Sequence, residues 1–544
     1  MTLQTSDATS AAGAAPSMFS GALAPMRSPV FRMLWLAWLA ANISLWMNDV
    51  AAAWMMTSLT TNPALVALVQ TASTLPMFLL GVPSGALADI VDRRRYFAAT
   101  QLWAALIALV LVVVSLTGHL AAPLLLLLTF LNGITMAMRW PVFSAIVPSL
   151  VPRAHLGAAL ALNGVAMNLP RIVGPALAGT LLASLGSAAV FAVNAVLSIA
   201  AFVVIVRWRT ERKEGALPGE RFVGAMRTGL QYARQAPRLQ VALVRITLFM
   251  LQAAGLTALT PLVAKHLPDG GAGAYSAMLA ATGVGAIGVV LFMGRLRERL
   301  GRDRSVRTGA LLHALAAASV VFAPNLWLAL PGMLVSGASV MLTANSITVS
   351  AQLSLPDWVR ARGMALYQMA LMGGAAAGAA LWGQVAAATD VRTTVLLSAG
   401  CGLAAVLLTR RLSIEHPNPD EHEIVAAPAP YAEPAIPIDP SDGPVMVTVE
   451  YQIDPARAAD FAAVMKQTRR ARLRQGALSW GLFRDSAQPG RYVEYFVDES
   501  WLEHQRRLAR FSAGDAGLRE QRLSFHLADT PPVVRRYVAD ALVE

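Results

Sequence analysis

The chain has 544 residues, 56% of them hydrophobic and 14% charged, with a net charge of +12 and a mean hydropathy of +0.53. An average soluble domain carries charge on about a quarter of its positions, so water is not the main solvent here. The basic residues sit at short breaks between apolar runs instead of forming one patch, which argues against a nucleic-acid partner.

Residues 1–27 are rich in Ala, Ser and Thr, with neither a basic n-region nor an apolar h-region, and read as a flexible cytoplasmic tail. Apolar stretches then recur, each long enough to cross a hydrocarbon core of about 30 Å as a helix. Helices are expected because in lipid the backbone must satisfy its own hydrogen bonds. Six predicted spans at 32–58, 64–88, 96–117, 121–148, 157–184 and 187–207 make a first bundle over residues 28–207. A basic linker, 208–238, follows; its RFVGAMRTGLQYARQAP stretch sets apolar residues at helical spacing among arginines and reads as a surface-lying amphipathic helix. Spans at 239–264, 273–294, 305–323, 326–351, 361–388 and 392–409 make a second bundle over 239–411. Cys401, the single cysteine, lies in the last of these as a small packing residue, so neither a disulfide framework nor a cysteine metal site is available.

The breaks after even-numbered spans hold Arg93, Arg94 and Arg95, then Arg153, the long linker, Arg295 to Arg304, Arg360 and Arg362, and Arg410 and Arg411, while the alternate breaks are nearly empty of basic residues. Lys and Arg favour the cytoplasmic side, so the expectation is a multi-pass protein of the cell inner membrane with both termini cytoplasmic. The halves echo each other, IVPSLVPRAHLGAALALN at 146–163 against LSLPDWVRARGMALYQ at 353–368. Parallel repeats of six imply two bundles rocking about a central site.

GALADIVDRRR, residues 85–95, resembles the loop between spans two and three of the major facilitator superfamily, whose pattern is G-x-x-x-D-R-x-G-R-R. Gly85, Asp89, Arg93 and Arg94 fit; Ile90 stands for an arginine and Asp92 for a glycine. A glycine lets two helices approach and an aspartate can sit opposite basic groups or a facing helix N-terminus, which makes a conformational latch. A solvated charge run is the alternative. GVVLFMGRLRERLGRD, 288–303, reads as a degraded copy that keeps Arg295 and Arg299 but lacks the motif's Asp. The resemblance implies an all-α membrane protein of twelve transmembrane helices in two six-helix bundles.

NLPRIVGPALAG resembles the fifth-span motif of antiporter branches of that superfamily, with Gly174, Pro175 and Gly179 in place, Ala178 for a glycine and Pro170 where glycine is common. It implies export; ordinary helix packing is the alternative. At 1.5 Å per residue, Arg171 lies roughly 20 Å into the membrane and Asp49 roughly 24 Å. The expectation is an Asp49–Arg171 pair lining a cavity, either moving in transport or fixed to orient helices. Asp49 is the only acidic residue well inside a span and the first candidate for proton coupling. The fourth-span arginine that the family links to coupling falls at Thr129, and Arg139 does not stand in for it. Asn42, Asn168 and Gln352 are further candidates for the substrate or proton pathway, or helix–helix glue. Trp38, Trp46 and Trp54, with many methionines, suit a soft cavity for bulky organic molecules. No P-loop, zinc motif or nucleophile elbow occurs, so no catalytic residue, metal or cofactor is expected.

Residues 412–444 are Pro-rich and acidic, a linker, and 445–544 read as strand, helix, strand, strand, helix and strand, a cytoplasmic ferredoxin-like α+β domain. This domain resembles the antibiotic-biosynthesis-monooxygenase-like domains, which implies pairing as a homodimer. Trp480, Trp501 and His504 offer a residual active site as the alternative to a regulatory or dimerising module. Nearly the whole chain resembles the transmembrane secretion effector branch, which includes enterobactin-exporter-like proteins. The expected function is secondary export of small organic or amphipathic compounds, with proton antiport as its energy source. An enzyme–transporter fusion and a non-transporting sensor are the alternatives.

Overall fold

The computed structural model describes residues 23–152, 155–208, 222–268, 270–415 and 434–540. Helix α1 (Pro29–Leu59) is started by the Ser28 side chain accepting from the Phe31 N–H, with Pro29 in the first turn where no backbone donor is needed. Next come α2 (Pro63–Ile90), α3 (Arg93–Leu116) and α4 (Ala122–Leu150). The fifth span divides into α5 (Leu156–Asn168) and α6 (Pro170–Leu185), because Pro170 supplies no N–H to the helical ladder. Helix α7 (Ser187–Arg207) completes the first group, and the amphipathic α8 (Phe222–Gln235) precedes the second. That second group runs α9 (Pro237–Thr257), α10 (Thr260–His266), α11 (Ala272–Val321), α12 (Leu326–Leu353), α13 (Asp357–Ala388) and α14 (Val391–Leu408).

Eleven helices among the described residues are long and apolar enough to cross a membrane. The predicted spans at 273–294 and 305–323 both fall within α11, which is two helical runs meeting at Gly301, whose φ of +69° breaks the helix and is adopted by glycine without a Cβ penalty. Cys401 is exposed on α14, so it is not the packing residue its apolar run suggested. In a membrane helix the outward face is apolar too, and composition alone does not separate it from the core.

The packing differs at the two ends of the helices. At the arginine-poor end one apolar core joins both groups, with Val50 and Met56 of α1, Val66 and Ala67 of α2, Leu262 of α10, Tyr275 and Met278 of α11 and Ala379 and Ala386 of α13. At the arginine-rich end there are two cores. Phe31, Trp38, Phe97, Ile146 and Ile205 close the first group, and Leu239, Ile246, Val306, Ile347, Val359 and Tyr367 close the second. The groups are therefore cemented at one end and separately sealed at the other.

Beyond residue 434, β1 (Val445–Gln452), α15 (Ala458–Arg474), β2 (Ser479–Arg484), β3 (Arg491–Asp498), α16 (Trp501–Ala509), α17 (Ala513–Leu523) and β4 (Val533–Val538) form a second fold; most of the predicted 412–444 linker lies outside the described residues. The sheet order is β2-β3-β1-β4, with every neighbour antiparallel. Val445, Val447, Val449 and Tyr451 alternate onto the buried face. A further helix, α17, follows the predicted second one, because Ser512 caps it reciprocally with Asp515.

Candidate functional site

One stripe of α1 carries Trp38, Asn42, Trp46 and Asp49, spaced by four, four and three residues and so on one face of the helix. Two guanidinium groups lie against it. Arg139 of α4 is buried, 5.1 Å from the Trp38 ring centroid, and donates at 3.4–3.5 Å to the Asn42 side chain and the Ala41 carbonyl. Arg171 of α6 is exposed and lies 5.6 Å from the Trp46 ring centroid. Asn42 also donates to the Trp38 carbonyl at 3.0 Å.

Arg171 does not pair with Asp49. Among the described residues no salt bridge joins them; the guanidinium lies over the indole, and Asp49 Oδ1 is buried with no hydrogen-bond partner. Depth along two helices gave similar levels for the two residues, but it does not give the rotation of each helix about its axis.

Glycines in α6 make the close approaches their spacing implied. A Cβ at Gly174 would come within 2.5 Å of Trp46 Cβ, and one at Gly179 would run into the side chain of Ser276 in the other group. Pro175 is buried between them. Helix α6 therefore packs against α1 on one side and α11 on the other. At its tip Trp54 stacks on Tyr275 at 6.0 Å, and Lys265 donates to the Thr57 carbonyl at 2.6 Å, closing the arginine-poor end. Lys265 and Tyr275 were not singled out from the sequence; each is a lone residue near a helix end with no motif around it.

On the other seam, Thr71, Leu75 and Phe78 of α2, Thr247 of α9 and Met369 and Gly373 of α13 line an open crevice of about 480 Å³. Thr71 donates to the Ala376 carbonyl at 2.9 Å, tying α2 to α13. The small-residue run GGAAAGAA in α13 allows this: a Cβ at Gly374 would lie 2.6 Å from the Thr247 carbonyl oxygen. That run was the available signal for the crevice.

Of the remaining candidates, Asn168 donates to the Gly164 carbonyl within its own helix at 2.8 Å, and Gln352 is exposed at the arginine-rich end of α12, away from the α1 stripe. The Gly85, Asp89 and Arg93 side chains lie outside the described ones; Arg94 donates to the Val206 carbonyl at the end of α7. The stretch 288–303 holds two acidic residues, Glu298 and Asp303. Asp303, two positions beyond Gly301, accepts from Arg245 of α9 at 2.5 Å, from Ser413 at 2.5 Å and from the Ile414 N–H at 3.2 Å.

In the C-terminal unit Trp480 donates to Glu494 at 3.0 Å, and Glu494 also accepts from Arg472 and Tyr451. His504 lies against Trp501 at 5.3 Å and joins Asp498, which Arg507 also binds. These three sequence candidates are thus members of packed, hydrogen-bonded clusters. The unit docks on the second group: Arg227 of α8 pairs with Glu499, Gln231 donates to the Ala477 carbonyl at 2.5 Å, and Arg510 lies 4.4 Å from the Trp358 ring centroid.

A family profile described as transmembrane secretion effector matches residues 20–542. The Staphyloferrin A transporter of Staphylococcus aureus (strain NCTC 8325 / PS 47) is 22% identical over 281 residues, 51% of this chain and 70% of the relative. The uncharacterized MFS-type transporter YfiS of Bacillus subtilis (strain 168) is 27% identical over 197 residues, 35% of this chain and 46% of its own length. Among solved structures, the nucleoside transporter NupG (D323A mutant) superposes with a TM-score of 0.58 at 13% identity, over 70% of this chain and 99% of that one. A bacterial homolog of the human lysosomal transporter Spinster, inward-facing and unoccupied, gives 0.58 at 14% identity, over 71% and 97%. At such identities the likeness is one of fold.

Proposed function

Because this chain belongs to the transmembrane secretion effector family of major facilitator transporters, we propose that it exports small organic, amphipathic compounds across the inner membrane by alternating access. The observation that supports alternating access is the asymmetry of the cores: one shared core at the arginine-poor end and two at the arginine-rich end. With the arginine-rich end and both termini taken as cytoplasmic, the shared core closes the outer end while the two cores leave the groups separately sealed at the inner end. The run 302–321 beyond Gly301 counts as the twelfth span, completing two bundles of six. Rocking about the α6–α11 and α2–α13 seams would open the outer end. The relative named as a siderophore transporter is in keeping with a small organic cargo.

Asp49 is the proposed proton carrier, with Asn42 and Asn168 along the same pathway and Gln352 at its cytoplasmic mouth. Its buried Oδ1, which has no hydrogen-bond partner among the described residues, supports a carboxylate whose surroundings change as the bundles rock. Gly85, Asp89, Arg93 and Arg94 are the proposed latch. The test is accumulation of a fluorescent amphipathic cargo in cells expressing wild type, Asp49→Asn or no transporter. Accumulation in the Asp49→Asn cells equal to that of the empty strain supports coupled export; wild-type cells that accumulate as much as empty ones refute export.

The C-terminal unit is proposed as a cytoplasmic ferredoxin-like dimerisation module. Phe483 and Tyr495 stack at 5.5 Å and Tyr537 is exposed, all on the sheet face opposite the buried Val447 and Val449. Phe483→Glu together with Tyr537→Glu should convert a dimer to a monomer in light scattering of the detergent-solubilised chain; an unchanged mass refutes this role.

A further inference from the structure

The geometry points to Arg171, seated on Trp46, as the site that binds the anionic group of the cargo, so that the cargo is an amphipathic organic anion. This rests on the transport reading above and narrows it. An ion deep in a membrane protein needs a partner or water, and three arginines of the spans can be compared on that ground. Arg245 has Asp303 at 2.5 Å. Arg139 is buried against Trp38 and donates to Asn42 and to the Ala41 carbonyl. Arg171 is exposed, and its one described contact is the Trp46 ring.

The mode of that contact matters. An aromatic ring covers the flat face of a guanidinium, whereas a carboxylate takes two N–H groups along its edge, so stacking on Trp46 orients the fork without using it. Asp49, the acidic residue on the stripe, stands about one turn beyond Trp46, and among the described residues no salt bridge joins it to Arg171. Gly174, whose absent Cβ lets the α6 backbone close on Trp46, fixes the height of Arg171 against the indole. The site therefore combines a positive fork and an aromatic plate. An organic acid with an aromatic or aliphatic body matches both; a neutral molecule leaves the guanidinium unneutralised, and a cation opposes it.

The chemistry is shared by a lipid phosphate, so the experiment separates the two sources. The purified full-length chain is placed in phosphatidylcholine nanodiscs and titrated with dansylglycine or its neutral isostere dansylglycinamide, read by energy transfer from tryptophan. The expected result is at least a tenfold preference for the acid in wild type, lost in Arg171→Gln through weaker binding of the acid alone and partly kept in Arg171→Lys. Equal affinity for the two probes in wild type overturns the proposal, as does an equal loss of both in Arg171→Gln. Abolition of dansylglycine binding by phosphatidylglycerol in the discs would assign the seat to lipid and also overturn it. Anion preference that depends on Arg171 in a chain whose cells show no efflux would leave this inference standing and remove export instead.

Discussion

Asp303 holds Arg245 at 2.5 Å while Ser413 and the Ile414 N–H donate to the same carboxylate, so one residue ties α9 to the segment that leaves α14 for the C-terminal unit. Arg245 also donates to the Thr409 carbonyl at 3.1 Å, reinforcing that tie. Breaking a buried pair from one side leaves an uncompensated charge, which typically costs about 3–5 kcal/mol. Arg245→Ala should therefore lower the thermal midpoint of the detergent-solubilised chain by several degrees. An unchanged midpoint would mean that water replaces the guanidinium.

The seam between α6 and α11 has no room for a side chain at Gly179, where a Cβ would overlap Ser276. Gly179→Val should hold the arginine-poor ends apart at normal membrane abundance. The check is thiol labelling of a cysteine introduced at Thr57 in a Cys401→Ala background, with labelling expected to rise severalfold. Labelling equal to that of the glycine parent would show that the seam repacks.

Trp54 and Tyr275 stack across the two bundles, and such pairs contribute about 0.5–1.5 kcal/mol beyond area burial. Trp54→Ala together with Lys265→Met should shift the conformational equilibrium toward the state open at the arginine-poor end. Spin-label distances across that end should show a larger long-distance fraction than wild type, and an identical distribution would remove the pair from gating.

The C-terminal unit should weaken in acid. Burial pushes His504 below its ordinary value and Arg507 adds to this, although Asp498 opposes them. A depressed folded pKa means that the unfolded chain binds the proton first, so this stability is present above the histidine's ordinary range and is lost as pH falls below it. Burial pushes Asp498 and Glu494 up, but Arg507 and His504 for the first, and Arg472 and Arg522 for the second, hold them low, so both act in the same direction at lower pH. Hydrogen-exchange protection of β3 and α16 in the full-length chain should fall between pH 7 and pH 5. His504→Gln should flatten that dependence, and a profile identical to wild type would exclude the histidine.

Docking of the unit on α8 and α13 rests on Arg510 over Trp358 and on the Arg227–Glu499 pair. An exposed ion pair contributes about 0–1 kcal/mol, so the aromatic contact should dominate. Trp358→Ala should accelerate proteolysis in the 412–444 linker more than Glu499→Gln does; equal rates would reverse that ranking.

Hydropathy and arginine spacing made the spans and their alternation legible, because a segment must be apolar over about 20 residues to cross lipid whatever it packs against. The glycines of α6 were legible for a similar reason: close backbone approach needs a missing side chain, and the spacing of Gly174 and Gly179 records it. What faces what was not. Asp49 and Arg171 share a depth, yet the guanidinium lies over Trp46 and the Asp49 Oδ1 is left without a hydrogen-bond partner among the described residues. Asp303 was hidden because its partners Arg245, Ser413 and Ile414 lie 58 to 111 positions away. Composition and periodicity determine which solvent each helix meets; only the packed bundles decide which polar group meets which, because that depends on rotations and distances that no local pattern encodes.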